Sequence, residues 1–176
     1  MSEITVRHLG EDEWKDYRAV RLEALSESPE AFVATADEEE AFDEAHWRAR
    51  MQRSARLVAE RDGAAVGVVS VGTAPSDEEG RSGELFGLWV KPELRGSGVA
   101  TRLVKHGAAL AKERGQSRLY YWVGTENGRA VAFASGMGFR PTDQRRPMGV
   151  RSEEDGELEI AMVLPLADDR RVIGGT

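Results

Sequence analysis

Hydrophobic and polar positions along this chain fall into short blocks whose period switches repeatedly between two and about three and a half. Residues 4–9, ITVRHL, alternate and predict a first strand. Over 11–25, Trp14, Tyr17, Ala19, Val20 and Leu22 recur at roughly helical spacing behind an acidic first turn, which a helix dipole favours. Residues 26–40 read as a loop broken at Ser28-Pro29, and 42–52 as a second helix. The stretch 55–73 predicts a hairpin, because Asp62-Gly63 separates two apolar runs. Residues 74–83 are a polar turn. ELFGLWV, 84–90, is apolar on both faces and predicts a central strand. Helix 97–114 follows, with Val99, Leu103 and Leu110 on one stripe and Gly115 as its stop. Residues 117–124 read as another buried strand, 127–136 as a short helix, 138–142 as a strand start and 157–166 as a closing strand.

The resulting order, β-α-α-β-β-β-α-β-α-β-β, predicts an α/β (α+β) fold with helices on both faces of a mixed sheet. A chain of 176 residues suits one domain, expected over 1–166, with a frayed tail at 167–176. No window is apolar enough to span a membrane, and MSEITVRHLG does not read as a signal peptide, so a cytoplasmic protein without a membrane partner is expected. Cysteine is absent, which removes disulfides, thiolate nucleophiles and Cys-based metal sites; no metal is expected. A net charge of −7 argues against a nucleic-acid partner. Within 91–105, however, Lys91, Arg95, Arg102 and Lys105 face the single Glu93, a local charge that suits an anionic ligand.

That positive segment contains Arg95-Gly96-Ser97-Gly98-Val99-Ala100, with two glycines where a strand gives way to a helix. Glycine there serves either a tight turn or the close approach of an anion to bare backbone. The first amides of a helix lack internal partners, and the macrodipole adds positive charge beside them. The segment is no P-loop, since it lacks the Gly-Lys-Ser/Thr ending, and no dinucleotide fingerprint, since it lacks the first glycine.

VKPELRGSGVATRLV is similar to the acyl-CoA pyrophosphate loop of the GNAT superfamily, the acetyl-CoA-dependent N-acetyltransferases. NGRAVAFASGMGFRPT resembles that family's Asn-x-x-Ala…Gly-Phe segment. RLEALSESPEAF resembles the start of many members, and ELEIAMVLPL their closing strand. The resemblance runs in order from residue 3 to 166. It implies a mostly antiparallel sheet splayed between its fourth and fifth strands. The pantetheine arm would pair with backbone of Leu88, Trp89 and Val90 as an added strand, and a backbone N–H near Trp89 or Val90 would receive the oxyanion. The pyrophosphate would lie on the amides of Arg95, Gly96, Ser97, Gly98, Val99 and Ala100. Asn127 matches the family's cofactor-touching Asn; helix capping is the other role open to it.

The implied reaction moves an acetyl group from acetyl-CoA to a primary amine of a small molecule or peptide. An alkyl ammonium must first lose a proton to a base. Glu84 is the first candidate, on the face expected to hold Phe86 and Leu88, with a solvated strand-start glutamate as the alternative; Glu126 is the second. His8, His46 and His106 read as structural. The resemblance breaks at Ala134, where many members carry the Tyr that protonates the departing thiolate. This gap keeps a low-turnover acyl-CoA-binding sensor open as the competing function. Alternation sends Tyr120 and Trp122 to one face and Tyr121 to the other. Segments 26–42 and 74–83 would wall the acceptor site. The run Asp37, Glu38, Glu39, Glu40 reads as a solvated helix entry, with attraction of a cationic acceptor as the alternative. A homodimer is compatible with the chain.

Overall fold

The computed structural model describes residues 3–74, 81–147 and 158–166. Asp62 and Gly63, with φ of 55° and 80°, close the expected hairpin between β2 (Ala55–Arg61) and β3 (Ala64–Thr73). Around it a seven-stranded sheet assembles in the order β1-β2-β3-β4-β5-β7-β6. The other strands are β1 (Thr5–His8), β4 (Ser82–Val90), β5 (Arg118–Gly124), β6 (Arg140–Pro147) and β7 (Leu158–Pro165). Every neighbouring pair is antiparallel except β4 and β5.

Helices cover both faces, as the mixed pattern predicts. α4 (Val99–Glu113) and α5 (Gly128–Gly136) lie over one core, which holds Leu57, Val69, Val71, Leu85, Val90, Leu103, Leu119 and Met162. α1 (Trp14–Glu27) and α3 (Glu44–Arg53) cover the other, built on Trp14, Tyr17, Val20, Trp47, Val58, Val68 and Trp89. Both faces of β2, β3 and β4 are therefore buried, which is why those segments read as continuous apolar runs.

Three differences from the sequence expectations matter for the site. The supposed loop 26–40 contains a 3₁₀ turn at Pro29–Ala31 and a short helix α2 at Ala36–Glu40. The Thr35 hydroxyl caps α2 by accepting from the Glu38 amide at 3.2 Å; five residues are too few to reveal a helical period. Helix 97–114 begins later, at Val99, because Gly98 has φ of 91° and cannot be helical. Most of the turn expected at 74–83 and the tail at 167–176 lie outside the described residues, while Ser82 and Gly83 join β4.

The third difference is a β-bulge. From Val68 to Ser70, β3 advances two residues while β4 runs three, from Trp89 back to Phe86. The odd residue falls at Gly87–Leu88, and Gly87 takes φ of 65°. Bulges bend a strand and reset its alternation. Phe86 consequently lies near Arg56, with the guanidinium 5.5 Å from its ring, while Leu88 packs on the α4 side. The expectation that Glu84, Phe86 and Leu88 share a face is thus wrong at Leu88. The bulge also coincides with the end of β4–β5 pairing, which covers only Ser82–Leu85 against Arg118–Tyr121. Beyond that point the two strands carry no ladder and the sheet is split.

Candidate active site

Two cavities open at the split. The smaller, about 340 Å³, is lined by Val90, Leu94, Arg95, Gly96, Gly98, Ala100, Thr101 and Phe133. Its floor is the turn before α4. Gly96 and Gly98 have φ of 84° and 91°, so the backbone alone calls for glycine, and a Cβ built at either would meet nothing within 4 Å. The turn is therefore shaped by glycine without being packed by protein. Among the described residues, no backbone acceptor is recorded for the amides of Gly96, Gly98, Val99, Ala100 and Thr101; the first bond into α4 is Arg102 N–H to Gly98 O at 3.1 Å. The Ser97 amide differs, because it donates to Leu94 O at 3.2 Å. Several donors and a helix dipole thus converge on one open cavity, a geometry that suits an anion.

Arg95 does not stand at the rim of this turn as a free charge. Its Nε donates to Val90 O at 3.0 Å and its Nη2 to Ser28 Oγ at 3.2 Å, while Ser28 also accepts from Trp89 Nε1 at 3.3 Å. Arg95 braces the end of β4. That brace reveals a direction: Val90 pairs with Gly67 as a non-hydrogen-bonded pair, since Lys91 N–H donates to Val66 O at 2.8 Å. The N–H and C=O of Val90 therefore point away from β3, into the split. Asn127 sits where predicted, and its side chain accepts from the Ala130 amide at 3.1 Å, capping α5. A groove of about 510 Å³ between α4 and α5, lined by Thr101, Lys105, Ala108, Phe133 and Met137 among others, shares Thr101 and Phe133 with the smaller cavity.

The larger cavity, about 600 Å³, draws side chains from α1 (Arg21), the segment after it (Ala31, Phe32, Val33), β4 (Glu84 to Leu88), β5 (Tyr121, Trp122), β6 (Arg146, Pro147) and β7 (Glu159). Tyr121 and Trp122 point to opposite faces of β5, so the cavity passes through the sheet where the strands part. Tyr121 packs edge-on against Phe139, ring centres 6.0 Å apart. The Arg146 guanidinium lies 4.2 Å from the Trp122 ring and its Nε donates to Glu159 Oε1 at 3.1 Å.

Glu84 is half-buried in this cavity. Burial pushes its carboxyl above the ordinary range, and Glu159 adds to the push; Arg146 and a hydrogen bond from Trp122 pull the other way without cancelling it. Burial and Glu159 likewise raise the Tyr121 phenol. Glu126, by contrast, is exposed in the turn before α5 and lines neither cavity. Behind the cavity wall, Glu39 is fully buried, with Arg21 Nε and Nη2 on its two oxygens at 3.0 and 3.1 Å and Arg50 Nη1 at 2.8 Å. The reading of 37–40 as a solvated acid run fails at Glu39. Burial raises that carboxyl, but the hydrogen bonds from Arg21 and Arg50 prevail and hold it at about 2.

Against this geometry, the sequence profile described as "Acetyltransferase (GNAT) family" matches residues 11–139. The chain belongs to the GNAT acetyltransferase family. It is 30% identical over 147 residues to an uncharacterized N-acetyltransferase of Archaeoglobus fulgidus, covering 82% of this chain and 95% of that one. An acetyltransferase of the GNAT family from Streptococcus pneumoniae has a similar structure, with TM-score 0.73 at 17% identity, covering 94% of this chain and all of that one. So does yncA, a putative acetyltransferase from Salmonella typhimurium solved with its cofactor acetyl-CoA, with TM-score 0.70, 18% identity and 94% and 95% coverage. At those identities the two structures bear on the fold alone.

As a GNAT enzyme the chain is an acyltransferase, and Ala134, the residue at which the resemblance breaks, is fully buried. Thr101 and Phe133 went unremarked in the sequence because they line their cavities only once α5 docks beside α4, a contact no local pattern encodes.

Proposed function

We propose that this GNAT enzyme transfers an acetyl group from acetyl-CoA to a primary amine by direct attack. The observation that carries the reading is the split sheet itself, with an unpartnered amide turn at one end and a half-buried, proton-hungry carboxylate at the other. The pyrophosphate would take the amides of Gly96 and of Gly98 to Thr101, and the arm would run along β4 with Leu88 and Val90 as its backbone partners, because the N–H and C=O of Trp89 are turned toward Val68 of β3. An acceptor reaching the larger cavity arrives as an ammonium and gives its proton to Glu84, whose raised carboxyl accepts it closer to neutral pH than an exposed glutamate would. The neutral nitrogen attacks the thioester carbonyl. The Val90 N–H, directed into the split, is the donor for the developing oxyanion. The C–S bond then breaks, the thiolate leaves with its electron pair, and the acylated nitrogen gives up its second proton to water, which in turn restores the proton donor that neutralises the thiolate. Tyr121 lines the same cavity with its phenol held protonated, and we assign to it the proton that the thiolate needs in place of the missing α5 tyrosine.

The sensor reading draws on Ala134, and a thiol-release assay decides between the two. Acetyl-CoA with a panel of primary amines should release CoA only when an acceptor is present. Tight coenzyme binding by calorimetry without acceptor-dependent release would establish the sensor instead.

A further inference from the structure

The wall of the larger cavity beside the β4 bulge carries more positive charge than it neutralises. A Cβ at Gly87 would lie 4.0 Å from Arg21 Nη1 and 3.8 Å from Ser70 Oγ, so the guanidinium sits directly under the bulge. Arg21 spends Nε and Nη2 on Glu39 and lines the cavity, while Nη1 has no hydrogen-bond partner among the described residues. Glu39 must also serve Arg50. A third guanidinium, Arg56, is buried beside them with no carboxylate at all. It is held by the Tyr17 hydroxyl, Ser70 Oγ and the Arg50 carbonyl, and its Nε lacks a partner. Two cations thus share one anion, with a third guanidinium beside them that has no carboxylate, where water is largely excluded and unbalanced charge is costly.

The opposite wall has the reverse imbalance, with Glu84 and Glu159 facing the single Arg146. The cavity is polarised from Glu84 of β4 and Glu159 of β7 toward Arg21 of α1. The same cavity is lined by Phe86, 36% exposed, and Val33, 72% exposed, both large apolar side chains left open to a ligand. A molecule that complements all three features has an ammonium, a carboxylate and an apolar side chain on one small frame.

Resting on the acetyl-transfer reading, we propose that the acceptor is a free α-amino acid with an apolar side chain, its carboxylate held by Arg21 Nη1 while Glu84 takes the proton from its amine. A peptide N-terminus has no carboxylate beside its amine and does not satisfy the Arg21 wall. The planar guanidinium edge suits a carboxylate in direction as well as charge.

The acceptor series leucine, leucinamide and isoamylamine tests this in the wild-type enzyme. Leucine should be acetylated with kcat/KM at least about a hundredfold above the other two, because neither of them brings an anion to the Arg21 guanidinium. Equal rates for leucine and leucinamide would overturn it. Arg21→Gln should erase the preference and Arg21→Lys restore part of it, with thermal melts confirming that both variants fold. A binding readout keeps the subsite apart from the chemistry. CoA-loaded protein titrated with N-acetylleucine should bind at least about tenfold more tightly than with N-acetylleucinamide. Should no amine be acetylated, the transferase reading falls while this preference still decides the subsite; equal or absent binding of the two ligands would overturn the inference.

Discussion

The turn before α4 and the wall beneath the β4 bulge both gather positive potential, yet they do so by opposite means. At the turn the donors are backbone amides on glycines with open space beside them, and the one nearby guanidinium, Arg95, is occupied with Val90 O and Ser28. At the wall the donor is a side chain, Arg21 of α1, held on a buried carboxylate that it shares with Arg50 of α3 behind it. A ligand recognised by backbone asks the sequence only for a shape. A ligand recognised by side chains asks for particular residues from distant segments, each tied to the others. The first kind of site tolerates substitution at most positions and fails when its shape or sign changes; the second fails one residue at a time.

Breaking the wall should give the largest effect. Glu39→Gln removes the anion from two buried guanidinium groups and should destabilise the fold by about 3–5 kcal/mol in chemical denaturation. The same residue sets an acid limit. Its carboxyl is held at about 2, below its unfolded value, so the contribution is complete above the ordinary carboxylate range and is lost as pH falls toward 2. Wild type should therefore lose stability over that window, and Glu39→Gln should be flatter there.

At the turn, Gly98→Glu combines a strained φ with a carboxylate beside the expected phosphates, so it should weaken acetyl-CoA binding on the order of a thousandfold by calorimetry. Gly98→Ala carries the strain without the charge and separates the two causes. If both variants bound equally, the anion assignment would fail and only the backbone shape would remain.

Between the two regions, Glu84→Gln should lower kcat by about a hundredfold and leave acetyl-CoA affinity unchanged. In wild type, kcat should rise with pH through a limb lying above the ordinary carboxylate range, since the free base is the active form; the variant should lack that limb. The mildest change is Asn127→Ala, which removes the α5 cap and should cost about 1 kcal/mol. If acetyl-CoA affinity falls by more than that, Asn127 also touches the coenzyme.

What could be read from the sequence follows the same division. Residues 95–100 were legible because positive φ and an unpacked helix start each leave a local mark, namely glycine at set spacing. Strands β2 to β5 were legible because burial on both faces writes continuous apolar runs. The role of Glu39 was not, since nothing in four consecutive acids says which one turns inward; that is decided by Arg21 and Arg50, eighteen residues before and eleven after it. Leu88 was assigned to the wrong face because alternation assumes an unbroken ladder, and a bulge is visible only when the partner strand is known. The α2 helix escaped because one turn has no measurable period.

The bulge at Gly87 has one more consequence. Trp89 is anchored in the core under α1 and α3, and Val90 in the core under α4, so the residue count between Phe86 and those anchors is fixed on both faces at once. Deleting one residue would let the edge of β4 zip onto β5, but only by turning a buried indole toward the opposite layer. The gap between the strands is thus no hinged door awaiting a visitor. It is permanent architecture, set by counting, and a scan that swaps side chains one by one would never find what keeps it open.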